Sequence, residues 1–155
     1  YQPPVRSPQN IAILQDLTVS DFVLEVDLMS TTADYGHRDM CVIFGYQDPS
    51  HYYYVHFGLK ADEHCNSIFL VNGEPRVSIA KTRTSGTRWI DNTFHRVRIE
   101  RNTKNGDIKV YFDNMNRPVM TATDLTLTYG GFGVGSFDDE GRIDNCRIWG
   151  LKVTG

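Results

Sequence analysis

The chain has 155 residues, with 16 basic against 19 acidic side chains, 40% apolar residues and 23% charged ones. That is the size and composition of one globular domain, read here as residues 1–155, and no apolar run approaches the roughly 20 residues that would span a bilayer. The resulting charge of −3 argues against nucleic acid as a partner, because phosphate-backbone binding needs a concentrated basic surface.

The chain begins at Tyr1 without methionine, consistent with a mature or excised piece from which an export signal has been removed. From there the periodicity is that of strands. "DFVLEVDLMS" puts Phe22, Leu24, Val26 and Leu28 on one face and Glu25 and Asp27 on the other. "MCVIFGYQ" and "YYYVHFG" are joined by the turn-forming "DPSH". "IFLV" and "PRVSIA" flank Asn72-Gly73, a strong hairpin signal because its residues accept positive φ. A third hairpin pairs "FHRVRIER" with "DIKVYFD" across "NTKNG", with Val97, Ile99, Ile108, Val110 and Phe112 inward and Arg96, Arg98 and Lys109 outward. "GGFGVGSF" and "RIDNCRIWGLKV" follow as late strands, and only "ATDLTL" could hold one helical turn. About ten or more short strands of this kind predict an all-β, two-sheet antiparallel β-sandwich. Cys41, Cys65 and Cys146 are an odd count without Cys-x-x-Cys spacing, so at most one bridge forms and no zinc knuckle is indicated.

"FHRVRIERN", Gly106 and "IKVYFDN" together resemble the signature of laminin G-like jelly rolls, and "GGFGVGSFDDEGRIDNCRIWG" resembles the closing strands of the same group, the concanavalin A-like lectin/glucanase superfamily. The resemblance runs from about Asp21 to Val153. It implies a jelly roll. It leaves function open among lectins, carbohydrate-binding modules, glycosidases, lyases and adhesion domains.

The densest aromatic run is "SHYYYVHFG". If the "DPSH" hairpin pairs Tyr46 with Tyr52, then Phe44 lies opposite Tyr54 and Val42 opposite His56. Ile43, Gly45, Tyr53, Val55 and Phe57 then form the core side, and Phe44, Tyr46, Tyr52, Tyr54 and His56 an aromatic surface suited to the faces and hydroxyls of a sugar. His37 and Arg38 in the preceding polar loop, and Arg83 and Trp89 around "KTRTSGTRW", are candidate ligand contacts at strand ends. His95 falls within the fold signature and reads as a hydrogen-bonded structural residue.

Two acidic patterns point to different chemistry. Glu25 and Asp27 match the first two positions of the E-x-D-x-x-E motif of the superfamily's retaining glycosidases, but the third position is Ser30, and two carboxyl groups are needed for that mechanism. "DDEGRIDN" sets Asp138, Asp139 and Asp144 around a turn. Carboxylates with turn carbonyls suit a hard cation, and Asp144 matches the last-strand aspartate with which related jelly rolls hold a structural calcium ion. The resulting expectation is a non-catalytic, lectin-like domain. It would be secreted, periplasmic or on the cell surface, would bind an oligo- or polysaccharide, and would be tethered to a catalytic domain in a longer chain. The alternatives are a polysaccharide lyase or atypical glycosidase using Tyr52, Tyr54, His56 and Arg38, and a protein-interaction or adhesion domain. The Q-x-H and Y-x-K-x-G motifs of the superfamily's alginate lyases are missing from the sequence.

Overall fold

A computed structural model describes residues 8, 10–31, 39–136 and 141–154. Among these residues twelve strands form and no helix does. They are β1 (Asn10–Ile13), β2 (Val19–Ser30), β3 (Asp39–Asp48), β4 (His51–Gly58), β5 (Ser67–Asn72), β6 (Val77–Ser78), β7 (Ala80–Arg83), β8 (His95–Arg101), β9 (Asp107–Phe112), β10 (Met120–Thr123), β11 (Gly131–Ser136) and β12 (Gly141–Lys152). They build two six-stranded sheets in the orders β1-β11-β3-β4-β5-β6 and β12-β2-β8-β9-β10-β7, every pairing antiparallel. This is the two-sheet sandwich that the strand periodicity predicts.

The sheets meet face to face over one apolar core. Phe22, Leu24, Val26 and Leu28 of β2, with Val97, Ile99, Ile108 and Val110 of the β8–β9 hairpin, supply one side. Val42, Phe44, Tyr53, Val55 and Phe57 of β3 and β4 supply the other. The hairpin turns fall where glycine permits positive φ, at Gly73 (φ +74°) and Gly106 (φ +87°).

A buried cation closes one end of this core. Arg101 is buried, and its guanidinium donates to the carbonyls of Gly106, Asp124 and Leu127 at 2.8, 2.8 and 3.0 Å. It also lies 5.2 Å over the Tyr53 ring. The Tyr53 hydroxyl donates to Asp124 Oδ1 and accepts the Leu127 N–H at 3.1 Å. Burial first, then the Asp124 bond, pushes this phenol up to about 12.

The register of β3 against β4 differs from the sequence expectation by one residue. Val42 pairs with Val55, Ile43 with Tyr54 and Phe44 with Tyr53, whereas the turn itself closes Asp48 on His51. The tight turn holds only Pro49 and Ser50, and the Ser50 N–H donates to Asp48 Oδ1 at 2.7 Å. Two extra residues of β3 are taken up in a bulge between Phe44 and Asp48, where Gly45 sits at φ +61°. Because strand side chains alternate, a one-residue slip exchanges faces. Val42 and Phe44 therefore lie in the inter-sheet core, and Cys41 and Ile43 lie on the outer side with Tyr52 and Tyr54.

Candidate functional site

The aromatic surface expected on β3 and β4 is not exposed. Phe44 packs inside the sandwich, stacked on Tyr53 at 5.0 Å. Tyr52 and Tyr54 do lie on the outer face of the first sheet, as their alternation requires, yet both are 0% exposed. They form a second apolar cluster with Cys41, Ile43, Phe69 and Val71, Tyr54 stacking on Phe69 at 5.0 Å. Trp89 is buried too: its Nε1–H donates to the Phe57 carbonyl at 3.1 Å, and its ring meets Phe112 edge-on. Tryptophan following a basic loop has become a core residue, because the strand end at Phe57 offers the acceptor that a buried indole needs. Arg83 is exposed, but its Nη1 donates to the carbonyls of Asp62 and Cys65 at 2.6 and 3.3 Å, clamping that turn. His37, Arg38, Asp138 and Asp139 lie outside the described residues.

His56 is buried and belongs to a polar node rather than a surface. Its Nε2 is 2.8 Å from Asp39 Oδ2, and the Asn66 N–H donates to its Nδ1 at 3.0 Å. The Cys65 sulfur lies at the Nδ1–Cε1 edge, all three crowding a position where Gly58 has no room for a Cβ. Desolvation lowers the pKa of this imidazole, but Asp39 and then Cys65 outweigh it and raise the value to about 9. Against that, the directed Asn66 N–H needs the lone pair that protonation would consume. The geometry therefore favours the neutral ring with its proton on Nε2, donated to Asp39. Asp39, Cys41 and His56 also bring three potential metal-ligand atoms within 4.8 Å of one another. A sulfur and an imidazole suit zinc and not calcium, and an Nε2 already carrying a proton has no lone pair to give. His95 is likewise held at both nitrogens, Nδ1 2.8 Å from Asp113 and Nε2 accepting the Ile90 N–H at 3.2 Å, which is a structural arrangement. Cys41, Cys65 and Cys146 form no disulfide.

Among the described residues, a continuous row of polar side chains occupies the outer side of the second sheet. Along β2, Leu24, Val26 and Leu28 point into the core, so Val23, Glu25 and Asp27 point out. The register aligns three cross-strand rows there. One runs Trp149–Val23–Glu100–Lys109–Thr121–Thr82, the next Arg147–Glu25–Arg98–Tyr111, the third Asp144–Asp27–Arg96. Cross-strand neighbours on one face are close enough to interact, and here they interlock. Arg96 Nε and Nη2 reach the two Asp27 oxygens at 3.0 and 3.4 Å. Arg98 lies between Glu25 at 3.9 Å and Glu100 at 3.0 Å, and the Tyr111 hydroxyl donates to Glu100 at 3.2 Å. The Asn145 side-chain amide donates to Asp27 Oδ2 at 2.8 Å. The Arg96 bond, foremost, holds the Asp27 carboxyl below its usual range against the effect of burial.

At the margin of this ladder stands Trp149, 52% exposed. Its placement depends on a bulge in β12, between Asp144 and Arg147, where Asn145 takes φ +50°. Before the bulge Ile143 pairs with Leu28 on the core side; after it Ile148 pairs with Leu24 on the core side, so Trp149 turns outward with Arg147 and Asp144. Simple alternation would have put Ile143 and Trp149 on the same face. Glu25 and Asp27, which in sequence match only the first two positions of a glycosidase motif, are members of the ladder.

Asp144 is exposed and accepts the Asn145 N–H at 2.8 Å. Beside the ladder, the flank between β1 and β12 opens into a cavity of about 290 Å³ lined by Ile13, Leu24, Val26, Val42, Phe132 and Ile143 among others. That lining is almost wholly aliphatic or aromatic and offers hydroxyl groups few partners.

No protein-family model and no curated relative matches the chain. Solved structures do. A carbohydrate-binding module, CBM66 from Bacillus subtilis, is 21% identical with a TM-score of 0.70, over 92% of this chain and 83% of that one. CG-16, a homodimeric agglutinin from chicken liver, is 9% identical with a TM-score of 0.63, over 90% and 99%. A heptameric SAP-like pentraxin from Limulus polyphemus is 16% identical with a TM-score of 0.51, over 99% and 74%. With the sheet order above, these likenesses establish a concanavalin A-like jelly roll.

Proposed function

We propose that this chain is a non-catalytic carbohydrate-binding domain, and that its ligand lies across the outer face of the second sheet. The observation that carries this reading is the half-exposed Trp149 ring at the end of an interlocked ladder of Glu25, Asp27, Arg96, Arg98, Glu100 and Tyr111. A sugar ring has an apolar face for stacking and a rim of hydroxyls that both donate and accept. An indole beside fixed carboxylates and guanidinium groups offers the complement of both. Because the ladder's partners already hold one another, little side-chain ordering is left to oppose binding. The likeness to a carbohydrate-binding module and to an agglutinin supports the same reading.

In this reading the domain is exported, acts outside the cell, and serves as the targeting part of a longer chain that also carries a catalytic domain. A structural calcium ion at the acidic 138–144 segment, held by Asp144 with Asp138 and Asp139, belongs to the same proposal. Electrophoresis through gels containing individual polysaccharides tests the function. A binding module is retarded in the gel of its ligand and leaves that polysaccharide intact. Release of unsaturated or reducing ends would instead identify an enzyme, and passage through every gel unretarded would count against carbohydrate binding.

A further inference from the structure

The charges of the ladder set the class of sugar. Between Asp144 and Trp149 the outer face carries the carboxylates Glu25, Asp27, Glu100 and Asp144 and the cations Arg96, Arg98, Lys109 and Arg147, so the two signs balance. Two of the four cations are held in ion pairs, and the other two stand across the strands from carboxylates. Arg96 is forked onto Asp27, Arg98 sits between Glu25 and Glu100, Lys109 stands opposite Glu100, and Arg147 stands opposite Glu25 and adds its charge to the field at Asp27.

An anionic sugar approaching Arg96 or Arg98 would have to displace a carboxylate, exchanging one ion pair for another while desolvating its own charge. At Lys109 or Arg147 it would meet Glu100 or Glu25 across the strand. A hydroxyl meets no such exchange. A guanidinium group has five N–H donors and a carboxylate about four acceptor positions, so one or two internal bonds leave both able to engage further. A hydroxyl can donate to the carboxylate and accept from the arginine at once. We infer that the face selects neutral, polyhydroxylated glycans over uronates and sulfated sugars. This inference rests on the carbohydrate-binding reading above and adds the charge class of the ligand.

The test compares wild-type protein in gels of a neutral panel (a β-glucan, a galactomannan and a fructan) and an anionic pair (polygalacturonate and chondroitin sulfate). Retardation is expected in one or more neutral gels and in neither anionic gel. The affinity for the neutral ligand should change less than about two-fold between low salt and about 0.5 M NaCl, since no net charge pairing is formed for salt to screen. Glu100→Gln, checked by circular dichroism to be folded, removes one partner of Arg98. It should create retardation by polygalacturonate that falls at least about ten-fold over the same salt range. Two outcomes overturn the inference while leaving carbohydrate binding standing: salt-sensitive retardation of the wild type by an anionic polymer alone, or a folded Glu100→Gln with no gain of anion binding. Retardation in no gel, with no quenching of Trp149 fluorescence by any panel member, would remove the underlying reading and the inference with it.

Discussion

Trp149→Ala separates the binding face from the core most directly. A tryptophan side chain can bury up to about 250 Å², and Trp149 is 52% exposed, so roughly 130 Å² of ring is available to a stacked ligand. At about 25 cal/mol per Å² the transfer of that area would be worth at most about 3 kcal/mol, and stacking covers one side of a ring only. A loss of about 1–2 kcal/mol, roughly five- to thirty-fold in affinity, is therefore expected. Trp89→Phe is the counterpart: it removes the buried Nε1–H bond to the Phe57 carbonyl and opens space among His95 and Phe112, lowering stability by roughly 1–3 kcal/mol with affinity unchanged. Since the chain has two tryptophans, the Trp89→Phe protein also leaves Trp149 as the sole indole reporter. Titration calorimetry gives the affinities, urea melts the stabilities, and iodide quenching of the remaining tryptophan should be reduced by saturating glycan. A folded Trp149→Ala protein that binds as tightly as wild type would refute the placement of the ligand on this face.

Three further outcomes are expected. Tyr53→Phe leaves the buried Leu127 N–H and the Asp124 carboxyl without their phenolic partner and should cost roughly 1–3 kcal/mol in urea melts without affecting ligand affinity. Asp21 and Asp27 have folded pKa values below their ordinary ones, held down chiefly by Thr103 and Arg96 respectively. Their stabilisation is complete at neutral pH and is lost as pH falls below about 4 through the folded values; Asp27→Asn should flatten the acid limb of the melting temperature plotted against pH. If calcium is held at Asp144, chelator should lower the melting temperature of wild type and leave Asp144→Asn unaffected, and identical melting of wild type with and without chelator would count against the ion.

The sequence made the strands and the class of fold readable because burial on one face imposes period two, and β8 and β9 keep that period throughout, as β2 does from Phe22 to Leu28. It misled wherever a bulge changes the count. On β4, Tyr53, Val55 and Phe57 are inward as alternation says, but β3 gains two residues around Gly45, and the partner faces inferred across the turn were inverted. The same physical cause hid the candidate site. In β12, Asn145 resets the alternation, and nothing local in "RIDNCRIW" marks Trp149 as outward. The rings of Tyr52 and Tyr54 show a different limit: alternation tells which face a side chain occupies, not whether that face is covered. The ladder was half visible, since Arg96, Arg98 and Lys109 read as outward, but pairing Glu25 with Arg98 and Asp27 with Arg96 required the strand order.

The position of β12 in the second sheet has a kinetic consequence. Its long pairing is with β2, so Leu24 waits for Ile148 and Val23 for Trp149 before the edge of the sheet can zip. The β8–β9 hairpin, by contrast, closes across a turn of a few residues. Loop-closure entropy delays contacts between distant parts of a chain, so local hairpins should precede the joining of β2 and β12. The indole and the carboxylates it stands beside would then come together in the last step of folding, and unfolding from the C-terminal edge would dismantle the face while the β8–β9 hairpin still held. Ligand bound there would clasp β2 and β12 together and slow that opening. Amide exchange along β12 should accordingly be slowed more by saturating glycan than exchange in β9.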